Sequence, residues 1–216
     1  MIESSPHAEL VSRASIRQLI RKKRNALTRD FQQKSANELL AQLQNDDQIK
    51  QAKHIALYLA NDGELDLTPF IQWCWQQEKS VYLPRVHPFS KGNLIFLLYT
   101  KTSSMVLNQY NILEPKLDVR TLIPVEKLDI ILTPLVAFDP TGARIGMGGG
   151  YYDRTLSKWY KAYIQNEKCK PYPIGVAHEC QQVHSIPVEL WDIPLPQIMT
   201  PVTSQRFNIP KLKSCY

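Results

Sequence analysis

Residues 128–165 read LDIILTPLVAFDPTGARIGMGGGYYDRTLSKWYKAYIQ. The opening run, Leu128 to Leu132, carries two isoleucines and no charge after Asp129, the composition of a central strand buried on both faces. The closing run, 151–165, reads as a helix. Between them lie Gly142, Gly146, Gly148, Gly149 and Gly150, five of the chain's eight glycines within nine residues. A strand that passes through a glycine-rich loop into a helix is the repeating unit of an α/β fold.

The rest of the chain agrees with that class. Residues 13–27 predict a helix, with Ile16, Leu19, Ile20 and Leu27 on one arc and Arg13, Arg17, Arg21 and Arg24 on the neighbouring arc. Thr28 is the expected N-cap of a second helix. The apolar run 54–60 predicts a buried strand that ends in Asn61-Asp62-Gly63 turn chemistry. Thr68-Pro69 predicts a cap and a proline in the first turn of a third helix. Further strands are expected at 81–83, stopped by Pro84, at 94–99 and at 172–176, and the proline-studded stretch from Ser185 onward is expected to be extended. Strands alternating with helices predict a mainly parallel sheet. A length of 216 residues favours one domain, 13–201, with a loose extension at 1–12 and a tail at 202–216.

The glycine loop carries the chemistry. Glycine lets backbone amides approach a ligand closely, and a helix N-terminus supplies free N–H groups and positive potential for an anion. Arg144 and Arg154 flank the loop, and Asp153 is a candidate magnesium carboxylate. Neither standard fingerprint is met: no Gly-Lys-Ser/Thr follows, and G-x-G-x-x-G would require glycine at Tyr151. The plainer alternative is a tight structural turn.

The arginine stripe lies beside the apolar arc of its helix, where guanidinium groups would emerge at the edge of a cleft. A solvated basic face is the alternative. Lys22 points elsewhere. Glu64 sits at the carboxyl end of the first strand, where open α/β sheets bind ligands. Tyr82, Tyr110, Tyr151, Tyr152 and Trp191 are candidates to line a flat-ring pocket, or else core. His178 and Glu179 form a weaker candidate pair, and Asp192 a second metal carboxylate.

Composition excludes other classes. Hydrophobic residues make up 44% and charged residues 21%, an ordinary balance for a globular protein. The four cysteines follow neither a zinc nor a disulfide pattern. No apolar run approaches the ~20 residues of a membrane span, and the first ten residues do not resemble a signal peptide. A cytoplasmic protein is expected. A net charge of +6 suits an anionic ligand.

Taken together, several segments resemble one family. Gly142-Ala-Arg-Ile-Gly-Met-Gly-Gly-Gly-Tyr-Tyr-Asp-Arg154 resembles the signature of the 5-formyltetrahydrofolate cyclo-ligases, also called methenyltetrahydrofolate synthetases. Arg24-Asn-Ala-Leu-Thr28, Ala60-Asn-Asp-Gly-Glu-Leu-Asp66, Val81-Tyr-Leu-Pro-Arg85, Asn111-Ile-Leu-Glu-Pro115, Leu132-Thr-Pro-Leu-Val-Ala-Phe-Asp139 and Trp191-Asp-Ile-Pro194 follow in family order.

The resemblance implies a three-layer α/β/α fold with a mainly parallel sheet, similar to sugar-phosphate isomerases and CoA transferases. It implies ATP as co-substrate, Mg²⁺, and a reduced folate, polyglutamylated or not, carrying a formyl group on N5. It implies nucleotide contacts at Arg13, Arg17, Arg144, Ile145, Gly146, Met147, Gly148, Gly149, Gly150, Tyr151 and Tyr152. It implies folate contacts at Arg17, Leu59, Glu64, Tyr110, Met147, Gly148, Gly149, Gly150 and Tyr151. Asp153 becomes a metal ligand, with Asp192 as its possible companion, and Arg144 and Arg154 stabilise the transferring phosphoryl group.

The chain departs from the pattern at Gly149, where many members carry a basic residue, and at Pro196, where some carry the second metal carboxylate. Neither nucleic acid nor membrane is an expected partner, and a monomer is expected. The rival readings are a sugar-phosphate isomerase or acyl-CoA transferase, which need no ATP, and an RNA-binding module on the basic helix, which would show a steep salt dependence.

Overall fold

A computed structural model describes residues 12–167 and 169–209. The expected extension therefore lies outside the described residues except for Ser12. The elements in chain order are α1 (Arg13–Asn25), α2 (Arg29–Asn45), α3 (Asp47–Gln51), β1 (His54–Ala56), α4 (Thr68–Gln76), β2 (Ser80–Val86), β3 (Leu94–Tyr99), β4 (Met105–Leu107), β5 (Leu113–Pro115), β6 (Leu122–Ile123), β7 (Ile130–Pro134), β8 (Ala137–Phe138), β9 (Arg144–Ile145), α5 (Tyr151–Ile164), β10 (Tyr172–Val176), β11 (Gln197–Met199) and β12 (Ser204–Arg206). No described helix is long and apolar enough to cross a membrane.

Local chemistry sets the helix starts. Ser12 and Thr28 accept hydrogen bonds from the N–H groups of Ser15 and Phe31, closing the first turns of α1 and α2. At α4 the cap differs from expectation. Thr68 is already helical, and Asp66 Oδ1 accepts from both its N–H, at 2.9 Å, and its hydroxyl, at 2.7 Å.

The main sheet runs β12-β11-β10-β7-β1-β2-β3-β6. Five neighbouring strands, β11, β10, β7, β1 and β2, are parallel, and antiparallel strands extend both edges. Alternate strand residues feed two cores. On one face Ile55, Val81, Ile130 and Ile174 pack with Leu39 and Leu43 of α2 and Phe70 and Cys74 of α4. On the other, Ala56, Tyr82, Ile131 and Ile198 pack with Leu156 and Trp159 of α5. A third cluster seats Ile16 and Ile20 of α1 against Val136, Ala137 and Ile145 of the β8–β9 hairpin. That seat holds α1 beside the glycine loop.

Three expectations are corrected. The first strand spans three residues, not 54–60; Leu57 adds one hydrogen bond to Tyr82 at 3.0 Å, and the chain then leaves the ladder. Pro84 does not stop β2, which continues to Val86. Beyond Tyr82 β2 pairs with β3 alone, so one edge is open where a proline lacks its donor. The expected tail boundary at 201 falls inside the packed unit. Ser204–Arg206 is an edge strand, and Ile209 is 2% exposed. Composition hid these strands, because Pro194, Pro196 and Pro201 interrupt the apolar run around Ile198.

Candidate functional site

The chain runs from β1 outward to β2 and later returns to place β7 on the other side of β1. At such a reversal the loops leaving adjacent strands diverge and open a crevice at the carboxyl ends. A cavity of about 660 Å³ lies there. Its floor includes Tyr58, Leu59, Pro134 and Leu135, which directly follow or end β1 and β7. The β4–β5 hairpin forms an outer wall with Tyr110, Ile112 and Leu113.

That hairpin is tied down by a residue with no expected role. Glu114, 5% exposed, receives Arg85 Nη1 on Oε1 at 2.8 Å. On Oε2 it accepts from Val86 N–H at 3.1 Å and Asn108 Nδ2 at 3.2 Å.

The glycine loop forms the opposite wall. Gly148 has φ +99° and Gly150 has φ +64°, the left-handed region that an L side chain disfavours. Gly150 is the N-cap of α5 and offers no side chain, so the N–H groups of the first turn stay open to a ligand. Gly146, Met147, Gly149, Gly150, Tyr151, Tyr152, Asp153 and Arg144 all line the cavity. Tyr110 and Tyr151 join hydroxyls at 2.8 Å across the mouth.

The arginine stripe splits into two jobs. Arg13 holds Asp192 with both terminal nitrogens, and this pairing raises its own pKa. Arg17 Nε donates to the Gly146 carbonyl at 2.8 Å. Arg21 and Arg24 both reach Asp62, at 2.7 and 2.8 Å. Arg24 is fully buried rather than emerging at a cleft edge, and its Nε also donates to the Asp62 carbonyl at 2.8 Å. Among the expected contacts, Arg13, Arg17, Ile145, Gly148, Arg154 and Asp192 do not line the cavity. They lie behind the glycine loop or flank it.

The 61–64 turn carries two carboxylates with opposite fates. Asp62 is lowered to about 2, chiefly by the Arg21 hydrogen bond, with Asn25 adding to it. Glu64 is raised to about 7 because burial outweighs the pull of Arg24, 4.0 Å away, and of the Asn61 N–H, which donates at 3.1 Å. The Glu64 side chain lines the cavity at 16% exposure. Burial also raises the Tyr58 and Tyr152 phenols. Asp62, like Glu114, is a residue to which sequence reasoning assigned no role, and Arg24 is one it put at a cleft edge rather than in the interior. The signals were a turn aspartate and the last arginine of the stripe.

Arg144 is 5% exposed and donates Nη2 to Asp153 Oδ1 at 2.7 Å, while its Nε has no partner. Burial lowers its pKa against the pull of Asp153. Asp153 Oδ1 also accepts from Ile193 N–H at 3.3 Å, so both bonds found among the described residues fall on one oxygen and Oδ2 is left for a cation. Among the described residues no group of three or more metal-binding side chains occurs. Mg²⁺ binds through one or two carboxylates plus phosphates and water, so a single free oxygen fits it. Asp192 is held by Arg13 and by the Glu189 N–H at 2.8 Å, with neither oxygen free.

His178 and Glu179 do not line the cavity. His178, 1% exposed, meets Gln32 Oε1 at 2.9 Å and is lowered to about 4 by burial. Glu179 accepts from Val202 N–H at 3.0 Å. Both are structural.

Comparison with known proteins bears on this site. The profile of the 5-formyltetrahydrofolate cyclo-ligase family matches residues 9–201. The chain is similar to the 5-formyltetrahydrofolate cyclo-ligase of Escherichia coli K12, 48% identical over 183 residues, 85% of this chain and 97% of that protein. The protein of that name from Haemophilus influenzae is 46% identical over 188 residues, 87% of this chain and 96% of the other. Among solved structures, Aquifex aeolicus 5,10-methenyltetrahydrofolate synthetase superposes with a TM-score of 0.75 at 27% identity, over 94% of this chain and 97% of that one.

Proposed function

From the premise that the chain belongs to the 5-formyltetrahydrofolate cyclo-ligase family of folate one-carbon metabolism, we propose that it closes 5-formyltetrahydrofolate to 5,10-methenyltetrahydrofolate while ATP becomes ADP and phosphate. One observation carries the reading. A ligand-sized cavity at the strand reversal has a glycine loop and helix N-terminus as one wall, and a half-buried carboxylate, Glu64, faces into it.

The folate occupies the cavity, with Glu64 accepting from the N–H-rich pterin edge and Leu59, Met147, Tyr110 and Tyr151 covering the rings. The triphosphate lies along the glycine loop on the α1 side, near Arg13 and Arg17. The γ-phosphate must meet the formyl oxygen directly, and glycine keeps side chains out of the space where the two meet. Magnesium, held by Asp153, would screen the phosphate charge.

The chemistry assigns the protein positioning and charge neutralisation rather than a covalent nucleophile. The formyl oxygen is a poor leaving group until it takes the γ-phosphoryl of ATP. N10 then attacks the formyl carbon, loses its proton, and phosphate departs as the ring closes. The open amides of the α5 first turn and the guanidinium of Arg144, which lines the cavity, are donors for the transferring group. A sugar-phosphate isomerase or acyl-CoA transferase activity, the rival reading, would need no ATP.

The test is a mixture of protein, MgATP and 5-formyltetrahydrofolate followed by the near-ultraviolet absorbance of the methenyl product. Absorbance should rise and should stop when EDTA removes the metal or when ATP is left out. Formation that continues undiminished without either would refute the reading.

A further inference from the structure

Arg154, in the first turn of α5, joins two loops distant in sequence. Its Nε donates to the Gly92 carbonyl at 2.6 Å, and its Nη2 donates to the Gly149 carbonyl. The guanidinium centre sits 5.7 Å from the centre of the Tyr151 ring. Gly92 belongs to the turn between β2 and β3, and Gly149 to the glycine loop.

Glycine lines the slot on both sides. A Cβ on Gly92 would lie 2.5 Å from Arg154 Nη2, and one on Gly150 would lie 2.9 Å from Nη1. Both glycines have positive φ, +80° and +64°. The guanidinium is therefore clasped between two backbones that approach it as only glycine allows. The planar fork presents two separate nitrogens, Nε and Nη2, to the two carbonyls in a fixed relative direction, which the single nitrogen of an ammonium does not.

The clasp also fixes a direction. A trans peptide points its C=O and the following N–H opposite ways. Holding the Gly149 carbonyl toward Arg154 turns the Gly150 N–H to the other side of the loop.

We propose that Arg154 is a positioning residue that, anchored on Gly92, holds the glycine loop in its phosphate-receiving conformation without touching the nucleotide. This rests on the reading that ATP binds at the glycine loop. It replaces the expectation that Arg154 stabilises the transferring phosphoryl group directly.

The experiment is calorimetric titration of the full chain with MgATP, paired with steady-state kinetics. The variants are Arg154→Ala, Arg154→Lys, Gly92→Asn and the double variant Arg154→Ala/Gly92→Asn. Asparagine tolerates positive φ, so Gly92→Asn adds a side chain to the slot with little backbone strain. Arg154→Ala should weaken MgATP by about tenfold, the loss of a charge-assisted contact. Gly92→Asn, on a surface turn, should weaken it similarly by expelling the guanidinium. The double variant should bind no worse than Arg154→Ala, because the two residues form one unit. KM for ATP should rise while kcat at saturation holds, and Arg154→Lys should not rescue.

Three results would overturn the clasp: Gly92→Asn binding like the parent, multiplying effects in the double variant, or rescue by lysine. If Arg154→Ala fails to fold, the comparison of Gly92→Asn with the parent decides alone. A parent that binds no MgATP removes the functional reading and the clasp together, whereas a parent that binds while every variant binds equally well removes the clasp only.

Discussion

Glu64 and Asp62 stand two residues apart on one turn, and their surroundings drive them in opposite directions. Asp62 receives Arg21, Arg24 and Asn25 and is held near 2, so its contribution is present above the ordinary 3.8 and is lost as pH falls through about 2. Glu64 is raised from 4.5 to about 7, so the folded chain holds a proton there that the unfolded chain releases. Stability from this group is therefore complete below 4.5 and falls as pH rises through about 7. Glu64→Gln removes the titration. In thermal melts without ligands, the variant should match the parent at about pH 4 and exceed it at about pH 8. A gap independent of pH would reject the buried, proton-holding carboxylate. The same variant should raise KM for folate and leave ATP affinity near that of the parent; unchanged folate affinity would reject Glu64 as the ring contact. Glu64 was legible as a ligand residue from its place after a strand. Its proton affinity was not, because that depends on burial and on Arg24, 40 positions away in the chain.

At the scale of elements, α1 and the glycine loop act as one device. The sequence shows four arginines at helical spacing, but not that Arg24 is buried against Asp62, that Arg21 reaches the same carboxylate from the exposed side, and that Arg17 grips Gly146. Partners so far apart in the chain leave no local signal. Arg17→Ala should lower kcat/KM at least tenfold, by about 1.5–3 kcal/mol, whereas Lys22→Ala on the exposed face should change little. Equal effects would contradict the division. The loop itself was legible because positive φ favours glycine, and Gly148 and Gly150 adopt it. At Gly148 an added Cβ would meet only the Arg17 guanidinium, 3.8 Å away, so the space is open. Gly148→Val should therefore cost about 1–3 kcal/mol of backbone strain, which a typical domain withstands. Its branches would enter the space between the loop and Arg17, where the proposed function puts the triphosphate. Circular dichroism should show a folded variant, and titration should show MgATP binding abolished. Binding like the parent's would contradict a phosphate-receiving loop.

At the scale of the whole molecule, the strand reversal between β1 and β7 explains why residues from 58 to 153 converge on one cavity. The α/β class and the central strand were readable from apolar runs and turn residues. The sheet's far edge was not, since prolines break the apolar pattern there and pairing with β10 is what makes β11 a strand. On the proposed reading, the γ-phosphoryl of ATP passes directly to the formyl oxygen of the folate in this cavity, so ring closure and ATP cleavage are coupled. The direct measurement is the ratio of ADP released to methenyl product formed in one reaction mixture of protein, Mg²⁺, ATP and 5-formyltetrahydrofolate. Equimolar ADP and methenyl product, with no ADP above background when folate is omitted, is the predicted result. Methenyl product accumulating without matching ADP would contradict it.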